Sequence, residues 1–120
     1  MSKILAVDDS TSMRQMVSFT LQQAGHEVIQ AADGQQALQE AKNGKVDLVL
    51  SDVNMPGIDG IELVRQLRTL PGYRFVPILM LTTESTTEKK QEGKAAGATG
   101  WIVKPFSPEQ LLSTVQRVLG

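Results

Sequence analysis

Four short apolar segments are each followed directly by side chains that could carry chemistry, and this arrangement constrains the fold more than any other feature. The segments and the residues that follow them are KILAV (3–7) with Asp8-Asp9, VDLVLS (46–51) with Asp52, VPILML (76–81) with Thr82, and GWIV (100–103) with Lys104. If these segments are parallel strands of one sheet, their carboxyl ends meet at the edge where open α/β sheets bind ligands. We therefore expect three carboxylates, one hydroxyl and one ammonium group to share a small pocket.

Helical patterns alternate with the apolar segments, which is typical of a parallel sheet covered by helices. We predict strands at 3–8, 27–31, 47–52, 77–82 and 100–103. Helices are predicted at 11–24, 34–43, 59–70, 85–97 and 107–119, the first capped by Ser10 or Thr11 and the last by Ser107. A chain of 120 residues is enough for one domain, which we expect to span 1–120 with no output domain after the last helix.

The fourth predicted helix differs from the others because STTEKKQEGKAAG contains no large apolar side chain. Gly93 lies in its interior, where glycine costs about 1 kcal/mol relative to alanine. We expect this helix to be the least firmly packed element, and elements that move in switching come from the less stable parts of a fold. A polar surface helix without such a role is an equally good interpretation.

Composition excludes several classes of protein. The net charge of −1 provides no field that would favour nucleic acid or an anionic membrane. With no cysteine and one histidine, disulfides and thiolate or zinc-cluster sites are excluded. The first apolar segment is shorter than the about 7–15 residues of a secretory signal or the about 18 of a membrane span. We predict a cytoplasmic protein that binds neither nucleic acid nor membrane.

The clustered carboxylates indicate a metal, because like charges packed together are unfavourable without a cation. Asp8-Asp9 alone would also suit a strand end with a helix cap. Mg²⁺ is the natural choice, since it takes oxygen ligands and bridges to phosphate oxygens. A carboxylate such as Asp52 can act as a nucleophile and form an aspartyl-phosphate. Thr82 and Lys104 could then contact phosphoryl oxygens, and the Lys104-Pro105 bond could be cis.

These residues, in this order, resemble the receiver domain of response regulators in bacterial two-component systems, with the single-domain chemotaxis regulators as the nearest type. The matching segments are VDDS (7–10), SDVNMPGIDG (51–60), LTTES (81–85), AGATGW (96–101) and KPF (104–106). The resemblance spans the chain from Lys3 to the fifth helix. It implies a flavodoxin-like (βα)5 fold, a doubly wound α/β sandwich whose five parallel strands have the order 2-1-3-4-5.

The resemblance also implies a site. Asp52 would accept a phosphoryl group from a phosphohistidine of a sensor histidine kinase. Asp9, Asp52 and the backbone carbonyl of Asn54 would bind Mg²⁺ directly, and Asp8 would act mainly through water. Asn54 and Glu84 would tune self-dephosphorylation, and we expect a short-lived phosphorylated form.

A switch is implied as well. Thr82 and Lys104 would contact the phosphoryl group, and Thr82 would shift toward it while Trp101 moves inward behind it. The family more often has Tyr or Phe at the position of Trp101, and a partly buried packing residue with its N–H at the surface is an equally good interpretation.

The face formed by helix 4, strand 5 and helix 5 is the expected partner surface. A chemotaxis-type histidine kinase is the expected donor, and a flagellar motor switch protein and a phosphatase are further candidate partners. Where chemotaxis regulators have lysines that bind the motor, this chain has Thr86, Thr87 and Thr114, although Lys89, Lys90 and Lys94 keep helix 4 basic. Phe19 is expected to be exposed on helix 1, either without a role or as a contact for a kinase or phosphatase domain.

The predicted function is therefore a phosphorylation-controlled binding switch that assists its own phosphotransfer and dephosphorylation, not a turnover enzyme. A receiver for another pathway or a phosphate sink remains an alternative. From other classes, the alternatives are a metal-dependent phosphatase with an aspartyl-phosphate intermediate and a receiver that only docks. A nucleotide-binding domain is disfavoured because neither G-x-x-x-x-G-K-[ST] nor G-x-G-x-x-G is present. A DNA-binding regulator is disfavoured because no helix-turn-helix segment follows the fifth helix.

Overall fold

The computed structural model describes residues 2–83 and 87–119, and in this part of the chain five strands alternate with five helices. The strands β1 to β5 are Lys3–Val7, Glu27–Ala31, Leu48–Asp52, Ile78–Thr82 and Gly100–Val103. The helices α1 to α5 are Thr11–Gln23, Gly34–Asn43, Gly60–Arg68, Thr87–Ala96 and Pro108–Leu119. All the predicted elements are present, although positions 85 and 86 of the predicted fourth helix lie outside the described residues.

The strands form one sheet in the order β2-β1-β3-β4-β5, and every neighbouring pair is parallel. This confirms the expected fold and places β3 at the centre. The chain adds strands on one side of β1 first and then continues from β3 in the other direction. The crevice between the carboxyl ends of β1 and β3 is therefore the switch point at which such sheets bind ligands.

Apolar side chains fill both faces of the sheet, which explains why the strands read as continuous apolar runs. In β4, Ile78 and Met80 join the core beneath α2 and α3, whereas Leu79 and Leu81 join the core beneath α1 and α5. A strand buried on both faces cannot slip by one residue without moving every side chain to the opposite core. The core thus holds the strand ends in a defined register.

Polar caps determine where the helices begin. The side chains of Ser10, Asp33 and Asp59 accept hydrogen bonds from backbone N–H groups in the first turns of α1, α2 and α3. Ser107 accepts from the N–H of Gln110 at 3.1 Å and starts α5 in the same way. The caps at Ser10 and Ser107 confirm the sequence prediction. No helix within the described ranges has the length and apolar character needed to cross a bilayer.

Arg68, the last residue of α3, joins the end of this helix to the connection before β4 and to the residue that follows α4. Its guanidinium donates hydrogen bonds to the carbonyl oxygens of Tyr73 at 2.8 Å and Val76 at 2.6 Å, in the connection to β4. It also donates twice, at 2.6 and 3.1 Å, to the carbonyl of Gly97, just beyond the end of α4. Since α4 has no large apolar side chain to pack on the core, the hydrogen bonds from Arg68 help to attach the end of this helix.

We expect Arg68→Met to lower the free energy of unfolding by at least about 2 kcal/mol, because charge-assisted hydrogen bonds are lost and partly buried carbonyls lose their donor. Urea unfolding followed by far-UV circular dichroism would measure it. Arg65→Met is the matched control, since Arg65 is exposed on the same helix and makes a 3.2 Å ion pair with Glu62, a surface contact worth about 0–1 kcal/mol. Equal losses in the two variants would contradict the anchoring role.

Candidate functional site

The carboxyl edge of the sheet brings the predicted site residues together. Asp8 and Asp9 follow β1, Asp52 ends β3, Thr82 ends β4 and Lys104 follows β5. One carboxylate oxygen from each of the three aspartates lies within 4.8 Å of the others. The Lys104 ammonium lies 3.3 Å from Oδ2 of Asp8 and 3.3 Å from Oδ1 of Asp52. Residues almost a hundred positions apart in the sequence therefore form one charged cluster.

Burial differs among these groups. Asp8 is 2% exposed, Asp52 8% and Thr82 1%, whereas Asp9 is exposed to solvent. Asp9 thus forms the solvent-facing rim of the cluster, and Asp52 forms part of its floor. The Lys104 side chain beside them is 14% exposed.

The burial and the charges of this cluster disfavour the ionised form of Asp52. Burial raises the pKa of Asp52, and the charges of Asp8 and Asp9 raise it further, while the Lys104 ammonium lowers it without cancelling the other effects. One ammonium group does not compensate three converging carboxylates. A divalent cation would, and a set of carboxylate oxygens is the donor set that Mg²⁺ prefers.

Local hydrogen bonds hold the connection between β1 and α1. Oδ1 of Asp8 accepts from the N–H of Ser10 at 2.9 Å. The Arg14 guanidinium donates to the backbone carbonyl of Asp8 at 2.6 Å. Arg14 is not predictable from the sequence, because a single arginine on the first turns of a helix has no pattern that distinguishes it from a solvated surface charge.

The connection between β3 and α3 requires a glycine where the helix starts. A Cβ on Gly60 would lie 2.8 Å from Cα of Val53 and 2.7 Å from Cε of Met80, and closer still to the carbonyl oxygen of Asp52. The N–H of Gly60 donates to the carbonyl of Val53 at 2.8 Å. The close approach therefore holds the end of β3, and with it Asp52.

The remaining predicted residues lie outside the charged cluster or outside the described part of the chain. Asn54 is exposed two positions after Asp52, and Glu84 lies outside the described residues. The Lys104–Pro105 peptide bond is cis, the isomer that the sequence left open. The backbone N–H of Lys104 donates to the carbonyl of Thr82 at 2.7 Å, which ties the two strand ends together. Phe19 is 63% exposed, as predicted.

Trp101 and Thr82 share one face of the sheet. Trp101 pairs in register with Met80, two residues before Thr82 on the same strand, and side chains two apart point to the same side. The indole is partly buried and packs against the core cluster that contains Met80. This placement suits both interpretations of Trp101, the switch residue and the packing residue.

Comparison with known sequences gives a family. Residues 4–116 match the response regulator receiver domain. The chain is 40% identical over 117 residues to the alkaline phosphatase synthesis transcriptional regulatory protein PhoP of Bacillus subtilis, covering 98% of this chain and 48% of that protein. It is 39% identical over 120 residues to a chemotaxis protein CheY homolog of Campylobacter jejuni, covering 98% of this chain and 92% of that protein. The chain thus spans about half the length of the first relative and nearly all of the second.

Comparison with solved structures supports the same family. The chemotaxis response regulator CheY4 of Vibrio cholerae is 63% identical, with a TM-score of 0.95 and 98% of each chain covered. The receiver domain of the sensor histidine kinase PA1611 of Pseudomonas aeruginosa, with a magnesium ion coordinated in its active site cleft, is 30% identical, with a TM-score of 0.92 and 99% and 98% of the two chains covered. The architecture, the acidic edge and these matches together show that this chain belongs to the response regulator receiver domain family.

Proposed function

We propose that this chain is a phosphorylation-activated response regulator in which Asp52 accepts a phosphoryl group from a sensor histidine kinase. The supporting observation is the position of the Lys104 ammonium, 3.3 Å from the carboxylates of both Asp52 and Asp8. A receiver domain is a phosphoacceptor and not a conventional enzyme, which disfavours the alternative of a metal-dependent phosphatase. We also propose that residues 1–120 form a single receiver domain, and the cytoplasmic location stays a prediction.

In the proposed transfer, a carboxylate oxygen of Asp52 attacks phosphorus. The new O–P bond forms as the N–P bond to the donor histidine breaks, and the electron pair of that bond stays on the imidazole nitrogen. Lys104 would contact one phosphoryl oxygen and the Thr82 hydroxyl another, and fixed positive charge and donors favour the charge of the transferring group. The same groups would assist self-dephosphorylation, in which water attacks phosphorus, the O–P bond to Asp52 breaks with its electron pair returning to the carboxylate, and inorganic phosphate is released.

Asp8, Asp9, Asp52 and the backbone carbonyl of Asn54 are the proposed Mg²⁺ ligands, with Asp8 acting mainly through water. The three carboxylates converge within 4.8 Å, which supports this assignment. So does the magnesium ion in the cleft of the homologous PA1611 receiver domain. The bound ion would supply positive charge to the phosphoryl oxygens.

Chemotaxis is the pathway we propose. Two relatives with chemotaxis names, at 39% and 63% identity, match this chain over nearly their whole length. A transcriptional regulator is about as similar in sequence as the first of these relatives, at 40%. A receiver that serves another pathway or acts as a phosphate sink is therefore the second candidate.

The proposed partner surface is the face formed by α4, β5 and α5. Phosphorylation would favour an arrangement in which Thr82 and Trp101 have moved and α4 has adjusted, a shift between existing states. Lys90 and Lys94 are exposed on α4, whereas Thr86 and the side chains of Thr87 and Lys89 lie outside the described part. A chemotaxis-type kinase, a flagellar motor switch protein and a phosphatase remain the partners to test.

The phosphoacceptor is tested by the intact mass of the protein after incubation with Mg²⁺ and phosphoramidate. We expect the wild type to gain one phosphoryl group and Asp52→Asn to gain none, because an amide is a poor nucleophile. EDTA should abolish the gain in the wild type. A gain that survives Asp52→Asn would show that another residue is the acceptor.

The same Asp52→Asn variant tests the electrostatics of the cluster. Because the pKa of Asp52 is raised in the folded chain, its ionised form opposes folding, and this cost appears as pH rises from the ordinary value of 3.8 through the raised pKa. In EDTA at pH 7, we expect the variant to have a larger free energy of unfolding than the wild type. The difference should vanish below the ordinary pKa.

Glu92→Gln is the control for this stability measurement, since Glu92 is exposed on α4. It should change the free energy of unfolding little at either pH. A variant Asp52→Asn that is less stable than the wild type at pH 7 would show that the attraction of Lys104 outweighs burial and repulsion.

The lifetime of the phosphorylated form is predicted to depend on Asn54 and Glu84, the two residues to which the family resemblance gives a role in self-dephosphorylation. We expect the double substitution Asn54→Ala and Glu84→Ala to slow the loss of phosphoryl by about tenfold, a change of about 1.4 kcal/mol in activation free energy. The decay of the phosphorylated mass after donor removal measures it. Glu88→Ala on the exposed side of α4 is the control, and an unchanged decay in the double variant would refute the role.

A further inference from the structure

Gly93 in α4 lies directly against the indole of Trp101. A Cβ on Gly93 would be 2.9 Å from Cη2 of Trp101 and closer still to Cζ2, and the third nearest atom is Cε2 of the same ring at 3.4 Å. Because real side chains do not approach so closely, any residue other than glycine would displace the ring or the helix. Because Gly93 has no side chain, α4 has a notch at this position, and the six-membered ring of the indole fills it.

The backbone does not explain this glycine. Gly93 has no left-handed φ, unlike Gly97, whose φ is 112° at the end of the same helix. An ordinary helical position would favour alanine over glycine by about 1 kcal/mol. The contact with Trp101 is therefore the physical reason for a glycine at this position.

The notch lies at the anchored end of α4. The carbonyl of Gly93 accepts hydrogen bonds from the N–H groups of Gly97 at 3.1 Å and Ala98 at 2.9 Å. Arg68 holds Gly97 in turn. A side chain at position 93 therefore meets a helix end that is held by these hydrogen bonds, and we expect it to displace the indole more readily than the backbone.

The surroundings of the indole differ in their exposure to solvent. The indole borders a groove of about 440 Å³ between α4 and β5, lined also by Lys90 and Lys94. On its other side, its face of the sheet leads to Thr82, which is 1% exposed. Movement further into the groove would expose apolar surface to water, which is unfavourable.

We propose that Gly93 is a positioning residue that holds Trp101 in the arrangement seen here, partly buried against α4, so that the ring must leave this notch when it moves toward Thr82. A side chain at position 93 then favours the inward arrangement without phosphorylation. This regulatory part rests on the proposed function. The contact between Gly93 and Trp101 does not depend on it.

The first experiment uses unphosphorylated protein. The chain contains one tryptophan, so its fluorescence reports on Trp101 alone. We expect Gly93→Ala to shift the emission to shorter wavelength and to reduce quenching by acrylamide, whereas the control Glu92→Ala, an exposed neighbour on α4, leaves both unchanged. An unchanged or red-shifted spectrum in Gly93→Ala would overturn the proposal.

A double-mutant cycle separates the notch from a general effect on the helix. In Trp101→Phe the atoms that fill the notch are absent, and Gly93→Ala should then raise the urea midpoint, as alanine does in an ordinary helix. In the wild-type background the same substitution should give no such gain. Equal midpoint shifts in the two backgrounds would show that Gly93 and Trp101 are not coupled.

Phosphorylation tests the regulatory part. With Mg²⁺ and phosphoramidate, we expect Gly93→Ala to take up the phosphoryl group faster than the wild type, because more of the chain starts in the favoured arrangement. Its fluorescence change on phosphorylation should be smaller. If the wild type is phosphorylated with a fluorescence change and Gly93→Ala behaves as Glu92→Ala does, this inference fails while the proposed function stands. A wild type that accepts no phosphoryl group would overturn the proposed function and the regulatory role, while the fluorescence and midpoint results would still decide the contact.

Discussion

The Lys104 ammonium lies between the carboxylates of Asp8 and Asp52, 3.3 Å from each, and the properties of the site depend on this shared contact. It joins the ends of three strands, and it is the cation that moderates the repulsion among the aspartates. The attraction is incomplete, since burial and the neighbouring carboxylates still raise the pKa of Asp52. A site with this excess of negative charge favours a divalent cation. A bound cation would then offset the repulsion between the carboxylates and the oxygens of a phosphoryl group.

The surrounding fold is rigid where the chemistry lies and weakly packed where a response could begin. β3 and β4 are buried along their whole length, which fixes Asp52 and Thr82 in register. α4 is different, because it is attached by the hydrogen bonds from Arg68 beyond its end and by the indole that fills the notch at Gly93.

Sequence reasoning recovered the strands, the helices and the clustered side chains, since each depends on local patterns such as apolar runs, caps and the polar residues that follow strands. It did not find Arg14 or the anchoring role of Arg68, whose partners are backbone carbonyls and leave no trace in residue type. It treated Gly93 as a cost to α4. The contact with Trp101 supplies the reason for that glycine, and a contact between a helix and a neighbouring strand is visible only once both are packed.

The sequence by itself determined the alternation of strands and helices, the acidic edge and the order in which the site residues occur, because burial and periodicity are properties of the chain. The strand order was implied by resemblance, not worked out from the residues. Only the tertiary structure decided that Lys104 contacts both Asp8 and Asp52, that Asp9 faces solvent while Asp8 is buried, and that the Trp101 ring lies over Gly93. These are distances between elements, and they follow from how the two cores pack on the sheet, which no single segment specifies.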